Sequence, residues 1–202
     1  MMLIGLCGYI GSGKDTCANI LQCNHQFERF AFASPIKDIC SLLFGWNREA
    51  LEGSTPSTRI WRETIDPWWT EQLGVTVTPR RMLQLIGTDM FRDKLSPLFW
   101  TAVIKNQIKS SYASRIVVTD CRFPEEIEMI RSLGGIIVKV DRGNASLSST
   151  SHISEQYISS VVPDATIDNT KDIDHLRTQL TTLLHFMNEE HDHQNVFSKN
   201  QN

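Results

Sequence analysis

Residues 8–16, with the sequence GYIGSGKDT, combine glycines and a lysine at a spacing that suits one kind of chemistry. Gly8, Gly11 and Gly13 permit backbone angles at which successive N–H groups converge on an anion. Lys14 follows directly and adds a full positive charge at the same point. Because the apolar run MLIGLC precedes this loop and a helical pattern follows it, the segment predicts a strand, a phosphate-binding loop and a helix N-terminus.

The position after the lysine departs from the usual pattern G-x-x-x-x-G-K-[ST]. Asp15 stands where a hydroxyl that binds magnesium is expected, and Thr16 follows one residue later. We interpret Thr16 as the hydroxyl that serves the phosphates. The metal would then depend on nucleotide oxygens, water and Asp120, because Mg²⁺ usually keeps several waters.

A carboxylate and two arginines follow predicted strands further along the chain. Asp120 ends the apolar run IVVT, which resembles a Walker B aspartate that holds magnesium or its water, or orients a nucleophile. Arg122 lies two residues further on, at the edge where open parallel sheets bind ligands. Arg142 begins a serine-rich loop after the next strand, where a lid would carry a cation onto a transferring phosphate. The alternative for Asp120 is a turn residue or a helix cap.

Two adjacent arginines, Arg80 and Arg81, occupy the first turn of a helix that Thr78 and Pro79 open. Cations there are unfavourable by about 0.3–1 kcal/mol each, so a pair suggests an anion that the guanidinium groups grip. A surface ion pair is the alternative. Basic groups around one cleft favour phosphoryl transfer, in which catalysis is mostly positioning and electrostatic stabilisation.

Composition limits the classes of partner. The chain has 202 residues, is 41% hydrophobic and carries a formal net charge of −3. The mild acidity disfavours a nucleic-acid polymer as partner but permits a small anionic substrate. No apolar run reaches the roughly 20 residues of a membrane span, and the N-terminus lacks the pattern of a secretory signal. Five scattered cysteines without C-x-x-C spacing predict reduced thiols, so we expect a cytoplasmic protein that does not act at a membrane.

The alternation of apolar strands and helical patterns predicts an α/β fold of three layers, with a parallel sheet flanked by helices. The expected strands are 2–7, 27–33, 115–120, 136–141 and 165–168. We expect a single domain over 1–187, in which 46–79 is a substrate-binding insertion and 142–155 a lid. The polar tail, 188–202, is predicted to be disordered.

Several motifs, taken in order, resemble the deoxynucleoside monophosphate kinases of tailed bacteriophages. They are GYIGSGKDT, SPIKD, RRMLQLIGTD, LFW, VVTDCRFPEE, RGNASLSSTSHISE and DATIDN. The resemblance implies a P-loop kinase fold with a lid and a region that binds the nucleoside monophosphate. It also implies transfer of the γ-phosphoryl group of ATP, with Mg²⁺, to a deoxynucleoside monophosphate in the host cytoplasm. A homodimer is kept open as the oligomeric state.

The resemblance, together with the arginine argument above, assigns roles to individual residues. ATP would contact Gly11, Ser12, Gly13, Lys14, Asp15 and Thr16, with Asn169 near the adenine. The substrate would contact Lys37, Arg62, Arg80, Arg81, Gly87, Thr88, Trp100, Asp120, Arg122 and Glu126. The catalytic group would be Lys14, Arg81, Asp120, Arg122 and Arg142, with Asp120 also reaching the metal, directly or through water. Within the loop, Ile10 replaces a lysine that a family member carries, so any contact made by that lysine is absent here.

Two alternative functions stay open at this stage. The first is another small-molecule P-loop kinase, acting for example on dephospho-coenzyme A or phosphomevalonate, because such enzymes share a similar loop and fold. The second is a nucleotide-binding regulatory protein without catalysis. The chain lacks the N-K-x-D guanine signature of GTP-binding switches, since NTKDID (169–174) has its letters in a different order.

Overall fold

The computed structural model describes residues 1–143 and 157–199. The described strands are β1 (Met2–Cys7), β2 (Glu28–Phe30), β3 (Arg115–Val118), β4 (Ile136–Asp141) and β5 (Ala165–Asp168). They form one sheet in the order β2-β3-β1-β4-β5, and every neighbouring pair is parallel. The predicted α/β fold with a parallel sheet is confirmed, and β2 is shorter than expected because α2 begins at Ala33.

The described helices alternate with these strands and fill the long segment between β2 and β3. They are α1 (Lys14–His25), α2 (Ala33–Phe44), α3 (Pro56–Glu63), α4 (Pro67–Leu73), α5 (Pro79–Gln84), α6 (Phe99–Ser110), α7 (Pro124–Ser132) and α8 (Ile173–Lys199). A 3₁₀ turn covers Ala50–Glu52 and a π-helix covers Leu85–Leu95. No helix in the described ranges is both long enough and apolar enough to span a membrane.

The chain divides into two compact units, and the first consists of Met1–Phe30 with the described part of 110–202. It contains the sheet, which is buried on both faces. Ile4 and Leu6 of β1 pack with Leu21 of α1 and Leu180 of α8. On the opposite face, a side chain added at Gly5 would meet Cys121, Ile137 and Ile130, the last of which lies on α7. Burial on both faces explains why the strands are continuously apolar rather than alternating.

The second unit spans Ala31–Lys109 and is helical. Its core contains Trp46, Leu51, Val77 and Met82, and the ring of Phe44 stacks on that of Trp46 with centroids 4.4 Å apart. The helices begin where the sequence supplies caps. Each of α3, α4 and α5 has a proline in its first turn, after Thr55, Asp66 and Thr78, whose side chains accept a first-turn N–H.

The segment 46–79, expected to be an insertion, is therefore only part of a larger helical unit with its own core. It packs with α2, with α5 and with the π-helix. The arrangement of 1–187 as a single domain stays a prediction.

The last helix, α8, extends to Lys199, beyond the predicted end of the domain at residue 187. Elongation of an existing helix costs far less than nucleation, and the first half of α8 is anchored in the core through Leu176, Leu180 and Leu184. Disorder of the tail, 188–202, stays a prediction.

Candidate active site

The loop between β1 and α1 contains a glycine that no other residue can replace without strain. Gly13 has φ +103°, and a Cβ there would lie 2.1 Å from Nδ2 of Asn169. Gly11 also has a positive φ, +76°, but a Cβ there would meet nothing within 4 Å. Both positions favour glycine on conformational grounds, and Gly13 is additionally confined by a neighbouring side chain.

This pair provides a matched test of the loop. We expect Gly13→Ala to lower the free energy of unfolding clearly more than Gly11→Ala does. Backbone strain costs about 1–3 kcal/mol at either site, whereas the clash with Asn169 arises only at Gly13. Urea titration of both variants would measure the difference. Equal losses of unfolding free energy in the two variants would contradict the predicted clash. So would a Gly13→Ala loss that stays the same in an Asn169→Ala background, where the clashing amide is absent.

Several hydrogen-bond donors of the loop and of the start of α1 are available to a ligand. The first N–H groups of a helix have no intrahelical partner, and no side chain caps α1, which begins at Lys14 after Gly13. The hydroxyl of Ser12 is buried, with the residue 5% exposed, and makes no hydrogen bond within the described structure. N–H groups at a helix N-terminus together with a buried hydroxyl suit the oxygens of a phosphate.

The side chain of Lys14 lies within its own loop. Its Nζ donates to the carbonyl oxygens of Gly8 at 2.7 Å and Tyr9 at 2.9 Å. Burial, followed by the positive charge of Arg122, lowers the pKa of Lys14 to about 8, while Asp15 and Asp120 act in the opposite direction. Lys14 therefore lies within electrostatic range of Asp120 and of Arg122, while a shared catalytic role for the three residues stays a prediction. A negatively charged ligand bound beside Lys14 would raise the pKa of the lysine and favour its charged form.

The carboxylate of Asp15, the unusual residue of the loop, points to a partner that the sequence did not indicate. It forms an ion pair with Arg29 on β2, and Nη1 of Arg29 also donates to Oδ1 of Asn19 at 3.0 Å. The Asp15 side chain is 82% exposed, so the pair contributes at most about 1 kcal/mol to stability. The carboxylate thus pairs with a residue outside the loop. The part of Asp15 that lies at the helix N-terminus and could face an anion is its backbone N–H.

Two predicted residues from distant parts of the chain contact the loop backbone. Nδ2 of Asn169, just after β5, donates to the carbonyl oxygen of Ser12 at 2.8 Å. Nη1 of Arg142, just after β4, donates to the carbonyl oxygen of Gly11 at 3.3 Å. Both strands end at the sheet edge where the loop begins, which explains the convergence. The rest of the expected lid, 144–155, including His152 and Ser154, lies outside the described residues.

Glu126, which is expected to contact the substrate, caps the N-terminus of a helix in the structure. Its Oε2 accepts the backbone N–H groups of Arg122 at 2.7 Å and Phe123 at 3.0 Å. The residue is 6% exposed and caps the start of α7. A proline at the first helical position with a glutamate two residues later is a recognisable start signal, so the sequence could have indicated this role. Contact of Glu126 with a substrate stays a prediction.

The cations predicted within the helical unit fall into two groups. Lys37 forms an ion pair with the carboxylate of Glu52, and Nη1 of Arg62 donates to the backbone oxygen of the same residue at 3.2 Å. Arg81 instead donates to the carbonyl oxygen of Thr76 at 2.6 Å, and Arg80 lies 3.9 Å from a carboxylate oxygen of Glu63. The structure therefore brings Lys37 and Arg62 to one turn, while Arg80 and Arg81 bond elsewhere in the unit. Sequence reasoning missed Glu52.

Trp100, expected beside the substrate, is buried within the helical unit. Its Nε1 donates to the carbonyl oxygen of Gly87 at 2.7 Å, and the residue is 6% exposed. The rings of Phe91 and Phe99 contact it at centroid distances of 5.3 and 4.9 Å. Gly87 and its neighbour Thr88 lie in the π-helix, an uncommon geometry that is found often at functional sites. The structure gives Trp100 a packing role.

The donor set for a metal is sparse. Within the described ranges no three His, Cys, Asp or Glu residues cluster in a way that could hold an ion. Asp120, which follows β3, is a carboxylate that could join an Mg²⁺ ion held mainly by substrate phosphates and waters.

Comparisons with known proteins agree on one family. A family model described as deoxynucleotide monophosphate kinase matches residues 68–180. A protein of Acanthamoeba polyphaga mimivirus named putative deoxynucleotide monophosphate kinase is 34% identical over 198 residues, which cover 91% of this chain and 96% of the relative. The deoxynucleoside-5'-monophosphate kinase of Escherichia phage T5 is 24% identical over 64% of this chain and 72% of its own. The deoxynucleotide monophosphate kinase of Escherichia phage RB69 is 23% identical over 91% of this chain and 100% of its own.

Proposed function

The chain belongs to the deoxynucleotide monophosphate kinase family, and from this premise we propose that it transfers the γ-phosphoryl group of ATP, with Mg²⁺, to a deoxynucleoside 5′-monophosphate. The observation that carries the choice of donor is the loop before α1. There a charged lysine, a buried hydroxyl without a partner and an uncapped helix N-terminus occur together. This combination suits the oxygens of a polyphosphate.

We assign the donor side of the reaction to the first unit. Lys14 would leave the carbonyl oxygens of Gly8 and Tyr9 and offset charge that develops on the β- and γ-phosphates. When bound, the magnesium ion would neutralise phosphate charge. Asp120 would help to hold the ion, directly or through water. Arg122, which already lowers the pKa of Lys14, would be compensated by the same negative ligand.

We assign the phosphate of the acceptor to the second unit, where Lys37 and Arg62 meet at one turn. Arginine suits a phosphate because its guanidinium group can donate two parallel hydrogen bonds, and lysine adds a compact charge. Within the described residues these two cations are part of a larger basic group around Glu52. Transfer needs no covalent attachment to a side chain, because positioning and charge stabilisation supply most of the catalysis.

A substrate panel tests this function. Purified protein is incubated with ATP and Mg²⁺ and with each of the four deoxynucleoside monophosphates, and ADP formation is followed by a coupled assay. We expect turnover with at least one of them and little ADP formation without an acceptor. Turnover with dephospho-coenzyme A or phosphomevalonate alone would favour the other kinase class, and nucleotide binding without any turnover would favour a regulatory protein.

A further inference from the structure

Three ion pairs join four charged side chains of the helical unit in a row of alternating sign, Lys37, Glu52, Arg48 and Asp38. Oε2 of Glu52 accepts from Nζ of Lys37 at 2.5 Å, and its Oε1 accepts from Nη1 of Arg48. Nε of Arg48 in turn donates to Oδ1 of Asp38 at 2.5 Å, and Asp38 follows Lys37 on α2. Each oxygen of the Glu52 carboxylate therefore holds a different cation.

The backbone of the same turn holds two more cations. The carbonyl oxygen of Glu52 accepts from Nη1 of Arg62, and that of Gly53 accepts from Nε of Arg59 at 2.9 Å. Gly53 has φ +64°, and a Cβ there would lie 2.3 Å from Nη1 of Arg62. The turn is thus shaped to let the guanidinium group of α3 come close to the backbone.

Four basic side chains gather at this turn. Lys37 and Arg48 bind the Glu52 carboxylate, and Arg59 and Arg62 donate to the backbone oxygens of Gly53 and Glu52. Arginine and lysine are the side chains that bind phosphate most readily, so such a turn suits the phosphate of a nucleoside monophosphate.

We propose that Glu52 is a positioning residue for the acceptor, whose carboxylate holds Lys37 while its backbone oxygen holds Arg62, so that both cations face the phosphate of a deoxynucleoside monophosphate. This inference rests on the proposed function. The Lys37 side chain is only 14% exposed, so its ammonium group has few alternatives to the Glu52 carboxylate. Holding a long side chain in one rotamer before the ligand arrives removes an ordering cost that binding would otherwise carry.

The protonation state of Glu52 agrees with this role. Burial acts to raise the pKa of its carboxyl group, but hydrogen bonds from Lys37 and Arg48 outweigh burial and lower it below the ordinary value. The carboxylate therefore stays charged at neutral pH and keeps both cations bound.

The test compares Glu52→Gln with Glu52→Asp and with a matched change at Asp38. Glu52→Gln leaves the backbone oxygen and Arg62 in place but removes the charge that holds Lys37. We expect the KM for the deoxynucleoside monophosphate to rise about tenfold, with kcat and the KM for ATP changed less than about threefold. Glu52→Asp, which keeps the charge, should recover part of the loss. Asp38→Asn, which contacts Arg48 and not Glu52, is the matched control, and its KM should stay within about twofold of that of the wild type.

A double-mutant cycle decides whether Glu52 acts through Lys37. In a Lys37→Ala background the additional effect of Glu52→Gln on KM should fall below about twofold, because the group that Glu52 positions is gone. An unchanged KM in Glu52→Gln would overturn the inference, as would an equal effect with and without Lys37, or an equal effect of Asp38→Asn. If the wild type phosphorylates no deoxynucleoside monophosphate, the proposed function itself fails. If the wild type is active and Glu52→Gln is indistinguishable from it, only the inference about Glu52 fails.

Discussion

Replacing Lys14 by alanine is expected to lower kcat about 10²- to 10³-fold, the range measured when one preorganised donor to a developing negative charge is removed. The reason is that Lys14 is the charged side chain of the loop, with its Nζ 2.7 Å from the carbonyl oxygen of Gly8. The coupled assay used for the substrate panel would measure the loss. Lys109→Ala, at an exposed position near the end of α6, is the control and should retain wild-type turnover. A Lys14→Ala enzyme within tenfold of the wild type would contradict the assignment.

The depressed pKa of Lys14 adds a pH dependence to the same prediction. Its value of about 8 in the folded protein means that the ammonium form dominates below pH 8 and is lost above it. Binding of a polyphosphate requires the charged form, so the KM for ATP should be flat below pH 8. Above pH 8 it should rise, by at most about tenfold per pH unit. Lys14→Arg should abolish this bend, because a guanidinium group stays charged across the range.

Trp100→Ala is expected to lower the free energy of unfolding by about 3–5 kcal/mol, the usual cost of truncating a large buried aromatic residue. The residue is 6% exposed, is enclosed by Phe91 and Phe99, and donates its ring N–H to Gly87. Trp100→Phe should lose about 1–3 kcal/mol, chiefly because the carbonyl oxygen of Gly87 loses its partner. Urea titration would measure both values.

The exposed Trp68 is the matched control for this prediction. It is 57% exposed, and Trp68→Ala should cost about 1 kcal/mol or less. If Trp100 instead stacks on a substrate base, as the family resemblance implies, Trp100→Phe would change the KM for the deoxynucleoside monophosphate while stability stayed near that of the wild type. That result would contradict the packing role.

Much of the fold was predictable because its signals are local. The runs MLIGLC, RIVVTD and IIVKVD are rich in apolar, largely β-branched residues, and the structure places them as the three central strands of a parallel sheet. The caps before α3, α4 and α5 and the glycine that ends α2 at residue 45 are likewise signals within a few residues. Disorder of the tail is predicted from composition alone and stays a prediction, while α8, which packed residues anchor in the core, extends to Lys199.

In the candidate site, too, local signals could be predicted from the sequence and long-range contacts could not. By itself the sequence determined the phosphate-binding loop, because the spacing of Gly8, Gly13 and Lys14 is a local pattern with a direct physical meaning. Only the tertiary structure decided that Asp15 pairs with Arg29, and that Asn169, 157 residues after Ser12 in the chain, donates to its backbone oxygen. It alone also decided that Glu52 lies between Lys37 and Arg48. These contacts join segments that approach one another only when the strands and helices have packed, so no pattern of neighbouring residues could have indicated them.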